Sequence, residues 1–132
     1  MGDDGVEITI GLLHHDQTSS GDLRAFLDHK AALIRVNAIM AIGRKIKEDT
    51  SLIPDLVRAA NDPRNDVKLI GTITVSHVAI ESLLRSGSRE ASQRAQEIVE
   101  SRSEQEREDI RWYLRSQGIT LPGVCLDGQL GG

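Results

Sequence analysis

One helical phrase occurs twice in this chain of 132 residues: Asn37-Ala38-Ile39-Met40-Ala41-Ile42-Gly43-Arg44, then Val78-Ala79-Ile80-Glu81-Ser82-Leu83-Leu84-Arg85. At an offset of 41 residues (79 − 38), Ala38 matches Ala79, Ile39 matches Ile80, Ile42 matches Leu83 and Arg44 matches Arg85. Self-similarity at a period of about 20 to 50 residues marks architectures in which each unit buries its apolar face only against its neighbours. With helical patterning, a period near 40 predicts an all-α chain: a short α-α superhelix, or solenoid, of two to three helical pairs.

Breaks in the pattern set the pairs. Gln17-Thr18-Ser19-Ser20-Gly21 is a turn cluster in which Ser19 or Ser20 can cap a short helix over 22–28. From Ala31 to about Lys47, apolar residues cover more than one helix face, as a helix flanked on both sides requires. Thr50 or Ser51 is the expected cap of a helix over 51–61, with Pro54 in its first turn and Asn61-Asp62-Pro63 as its stop. Asn65 or Asp66 is then expected to cap a long helix over 66–85, bent at Gly71. The run Gly71-Thr72-Ile73-Thr74-Val75 has low helix propensity, but a lone strand there lacks a partner. The last pair is expected over 89–101 and 104–117, with Ser103 and Glu106 forming a capping box and Gly118 ending the final helix.

The stretch Ile8-Thr9-Ile10-Gly11-Leu12-Leu13 resembles the second copy of the phrase and is expected to form the second helix of a truncated unit. One domain over residues 1–120 and a loose glycine-rich tail over 121–132 complete the expected organisation.

Composition narrows the function classes. A formal net charge of −4 gives no global pull toward nucleic acid or anionic membranes. Charge is nevertheless uneven: residues 23–47 hold six Lys or Arg against Asp28 alone. With Phe26, Trp112 and Tyr113 as the only aromatic residues, the core must be aliphatic. The lone Cys125 permits no intrachain disulfide, the N-terminus lacks a basic leader, and no apolar run reaches the roughly 20 residues that span a bilayer. A cytoplasmic protein without membrane insertion is expected.

The residues Phe26-Leu27-Asp28, followed by Ile34-Arg35-Val36-Asn37-Ala38-Ile39-Met40-Ala41-Ile42-Gly43, carry a wider likeness. They resemble the HEAT-like (armadillo-type) helical repeat family: a leucine-containing first helix, an Asp in the turn, then Val-Arg and Ala-x-x-Ala-Leu-Gly in the second helix. Asn61-Asp62-Pro63 with Val67-Lys68 repeats the turn and the basic position, so the likeness covers residues 22–85. It departs from the family where Gly71-Thr72-Ile73-Thr74 lengthens the second unit. The resemblance implies that Asp28, Asp62, Arg35 and Lys68 form a structural ladder, and that the second helices line a concave surface holding another macromolecule. Relatives of this shape with chemistry differ: metal-dependent hydroxylases use repeated His-Glu dipeptides, which this chain lacks, and alkylpurine glycosylases and bilin lyase subunits are longer.

No catalytic constellation stands out. His14-His15-Asp16 holds adjacent imidazoles about 100° apart on a helix, unsuited to one ion. Cys125 lacks a nearby base, and no phosphate loop is present. The expected role is a non-catalytic protein-protein interaction scaffold or adaptor, with no cofactor and no bound metal. Its candidate interaction residues are Arg35, Arg44, Lys45, Lys47, His77, Glu81, Trp112 and Tyr113. Trp112 and Tyr113 are helix neighbours that diverge, one sealing the core and the other free to anchor a partner. Another protein is the expected partner, with self-association through an open end of the stack a secondary expectation. The alternatives are polyanion or nucleic-acid binding through the basic 24–47 region, and an accessory lyase-like subunit.

Overall fold

The computed structural model describes residues 19–119. The expected N-terminal helix over 8–13, His14-His15-Asp16, Cys125 and the tail over 121–132 lie outside the described residues. Six α-helices and one small antiparallel hairpin occur among the described residues. They are α1 (Ser20–Phe26), α2 (Ala32–Lys45), α3 (Ile53–Asn61), β1 (Lys68–Ile70), β2 (Ile73–Thr74), α4 (Val75–Arg85), α5 (Arg89–Glu100) and α6 (Glu104–Ser116). Short 3₁₀ turns, Thr50–Leu52 and Pro63–Asp66, precede α3 and β1.

Capping chemistry sets most of these boundaries. Ser19 Oγ accepts the Asp22 amide at 3.2 Å, Ser88 Oγ that of Ala91 at 3.2 Å, and Ser103 Oγ that of Glu106 at 3.2 Å. Each satisfies an amide that the helix cannot. At the C-terminus of α6, Gly118 (φ 75°) donates to Arg115 O and Ile119 to Leu114 O, the two bonds of a Schellman motif. Two expected caps are corrected. Asp49, rather than Thr50 or Ser51, accepts the Ser51 amide at 3.1 Å and starts the 3₁₀ turn that leads into α3. Thr74, rather than Asn65 or Asp66, caps α4.

The long helix expected over 66–85 is likewise corrected: its first third is the β1–β2 hairpin. Gly71-Thr72 forms a two-residue loop whose first residue has φ 57° while Thr72 stays at negative φ, the pattern of a type II′ turn. Lys68 pairs with Thr74 and Ile70 with Ile73 across a bulge. The β-branched run therefore finds its strand partner in the three residues just before it, Lys68–Ile70.

Helix α4 is the hub. It packs on α2, α3, α5 and α6, and its first six residues, Val75 to Ile80, are all buried. The matched positions of the repeated phrase, Ala38 and Ala79, Ile39 and Ile80, Ile42 and Leu83, are all fully buried in one aliphatic core. Each of the Ile and Leu side chains among them contributes about 1.5–3 kcal/mol when removed from water, and each Ala methyl less. Gly43 permits that contact to be close: a Cβ placed on it would lie 2.9 Å from Ser82 Cβ.

Polar side chains join segments distant in sequence. Arg35, 4% exposed, donates from Nε to Asn65 Oδ1 at 2.8 Å and from Nη1 to His29 O and Lys30 O at 2.7 and 3.0 Å. Asn65 Nδ2 in turn donates to Ala59 O at 2.8 Å. Arg102, between α5 and α6, reaches back to Ala60 O at 2.6 Å and to Ser76 Oγ at 3.3 Å. Arg64 spans Asp28 and Asp62 at 2.9 and 2.7 Å, so in this chain Arg64 joins the two aspartates. Lys68 is exposed on β1.

Candidate protein-interaction groove

A groove of about 420 Å³ opens where α2, α4 and α6 meet. Its lining comes from one helical face on each: Met40, Gly43 and Arg44 from α2; Val78, Glu81, Ser82 and Arg85 from α4; Tyr113, with Gln117 just beyond α6. The repeat places the α2 and α4 residues. Met40 and Glu81 are equivalent at the 41-residue offset, as are Arg44 and Arg85, so the positions between the buried ones in each copy converge on one surface.

The groove wall is held by a polar chain. Tyr113 Oη donates a short hydrogen bond to Glu81 Oε1, and Arg85 Nε donates to Glu81 Oε2 at 2.6 Å. Arg85 Nη2 also donates to Gln117 O at 3.2 Å, tying α4 to the end of α6. Both Glu81 oxygens are thereby engaged, and the carboxylate is fixed within the protein itself. Burial, reinforced by the Glu81 carboxylate, pushes the Tyr113 phenol well above its ordinary pKa. The floor is apolar, lined by Met40, 39% exposed, and by the buried Val78. Such a surface combines solvent-reachable apolar area with a few oriented polar groups and the guanidinium groups of Arg44 and Arg85.

The remaining candidate residues lie elsewhere. Arg35 was expected on the interaction surface and is instead interior, because its guanidinium satisfies carbonyls at the start of α2 and the side chain of Asn65. Lys45 is half-buried near the end of α2, and Lys47 runs its stem over Gly87, whose φ is 78°. His77 is buried, 5% exposed, in a second cleft shared with the hairpin. Trp112 is 60% exposed and lies in a shallow depression with Glu108, Asp109, Arg111 and Arg115, outside the groove. The adjacent aromatics thus diverge, with Tyr113 inside and Trp112 outside. Sequence reasoning missed Met40, Gly43, Val78, Ser82, Arg85 and Gln117, although the offset that matched Arg44 to Arg85 also pairs Met40 with Glu81.

The basic 24–47 region is partly committed to structure. Arg24 Nε donates to Asp55 Oδ2 at 2.8 Å and its Nη2 to Ser51 Oγ at 2.9 Å, while Arg35 is buried. Among the described residues no group of three or more His, Cys, Asp or Glu side chains is placed to hold a metal ion, and no helix is long and apolar enough to cross a membrane. No family model, curated protein or solved structure matches this chain.

Proposed function

We propose that the protein is a non-catalytic protein-interaction module of HEAT-like repeat type, a short superhelical stack whose second helices α2, α4 and α6 present the groove to a partner protein. The observation that supports this most is the convergence of equivalent repeat positions, Met40 with Glu81 and Arg44 with Arg85, on one apolar-floored groove. A fixed Glu81–Tyr113–Arg85 wall lowers the entropic cost of binding, because side chains ordered in advance lose little freedom on contact. The partner best suited is a segment that buries an apolar side chain against Met40 and Val78 and sets an acidic group near Arg44 and Arg85.

The test is capture from a native extract with wild type, Met40→Glu and Trp112→Ala, each checked for helicity. This reading expects Met40→Glu to lose the partner and Trp112→Ala to retain it. Loss with Trp112→Ala and retention with Met40→Glu would move the interface to the outer face of α6.

A further inference from the structure

The junction between the hairpin and α4 is closed by a side chain that titrates. Thr74 Oγ1 accepts the His77 amide at 3.3 Å, and His77 Nδ1 accepts the Thr74 amide at 3.2 Å, a reciprocal capping box. Glu or Gln ordinarily fills the second role; here an imidazole does. A nitrogen that accepts from a backbone N–H carries no proton, so the ring is neutral with its hydrogen on Nε2. Protonation of Nδ1 would turn the acceptor into a donor facing another donor, and the box would open.

The surroundings make that step reachable. His77 lies in a cleft of about 230 Å³ lined by Asp66, Lys68, Thr72, Thr74, Glu106 and Asp109. The charged groups facing it are Asp66 from the 3₁₀ turn, Lys68 from β1, Arg102 from the turn before α6, and Glu106 and Asp109 from α6. Three acids against two bases favour an imidazolium, while burial disfavours it; burial is the larger effect and lowers the His77 pKa below its ordinary value. The neutral cap is therefore the state near neutrality, and three carboxylates stand ready once a proton arrives. His77 is also next to Val78 of the groove, and its ring lies 6.3 Å from that of Tyr113.

We propose that His77 is an acid-sensitive latch whose protonation releases the hairpin from the N-terminus of α4 and loosens the α4 edge of the groove. The latch does not depend on what fills the groove. Opening returns the imidazole to solvent and its ordinary pKa, so between that pKa, about 6.5, and the lower folded value the open state gains up to tenfold in population per pH unit.

Hydrogen exchange at the Thr74 amide, expressed as a protection factor to remove the intrinsic pH dependence, reads the latch directly. In wild type the factor should hold above about pH 6.5 and fall by up to tenfold per unit below it. His77→Gln keeps an acceptor at the same helix position and cannot titrate there, so its Thr74 protection should stay level over the same range. A level wild-type profile, or an equal fall in His77→Gln, would overturn the latch. The wild-type imidazole nitrogen shifts give a reading that needs no variant: Nδ1 should be unprotonated at neutral pH and gain its proton as Thr74 protection falls. A proton on Nδ1 at neutral pH would refute the proposal.

Discussion

Gly43 and Ser82 set the separation of α2 and α4: a methyl group on Gly43 would sit 2.9 Å from Ser82 Cβ and 3.3 Å from Ser82 O. The obstructing atoms belong to the backbone and the base of a side chain, so they cannot swing aside. The close approach of α2 to α4 thus depends on a residue that lowers helix propensity.

Gly43→Ala gains up to about 1 kcal/mol of helix propensity. Overpacking costs about 1–3 kcal/mol, so the net effect is a loss of about 1 kcal/mol, and Gly43→Val loses more. Urea denaturation measures both. Gly43→Ala combined with Ser82→Gly should recover part of the loss, because the two sites share one contact.

Arg35→Ala should cost about 3 kcal/mol or more, because it strands the buried Asn65 Oδ1 and removes a donor from three part-buried backbone carbonyls, those of His29, Lys30 and Arg64. Arg35→Lys should recover only part of this, since an ammonium cannot span the fork of acceptors the guanidinium reaches. Thermal melts of the two variants separate these outcomes.

Tyr113 is the single tyrosine of the chain, so its ionisation can be followed by phenolate absorbance without overlap. Its pKa is raised above the ordinary 10.0 by burial and by Glu81. Stability from the neutral phenol is therefore complete below the unfolded value and is lost as pH rises through the folded one. Folded protein should show little phenolate at about pH 10.5, whereas urea-unfolded protein should be mostly ionised there. Tyr113→Phe should lower stability by about 1–2 kcal/mol by leaving Glu81 one donor short.

Asp62 is held below its ordinary carboxylate range, chiefly by hydrogen bonds from the Arg64 side chain. A depressed folded pKa contributes stability above the unfolded value near 3.8 that disappears as pH falls through the folded value. In Arg64→Ala the Asp62 carboxyl, followed by NMR, should titrate at higher pH.

The helices were legible because their ends carry local chemistry, with Ser19, Asn61-Asp62-Pro63 and Gly118 all sequence-near signals, and because the repeated phrase marked the buried faces that hold Ile39 and Ile80. The hairpin was misread because its two strands are three and two residues long, below the length at which period-two alternation shows. Gly71-Thr72 between β-branched neighbours was its only signal. Arg35 and Asn65 lie 30 residues apart, and Glu81 and Tyr113 lie 32 apart. Nothing in either local pattern specifies such pairs; helix packing does. The groove was partly visible: Arg44, Glu81 and Tyr113, one from each helix, were expected on an interaction surface, but no local pattern brought the three helices together or singled out Met40, Val78 and Arg85.

The claim that the groove receives a partner is tested most directly by placing a photo-crosslinking residue at position 40, 112 or 93 in turn and irradiating in native cells. Position 40 faces the groove, whereas Trp112 and Gln93 are exposed outside it. The account predicts a discrete covalent adduct from position 40 and none of the same mass from positions 112 or 93. An adduct confined to position 112 or 93, or no adduct from position 40, would contradict it.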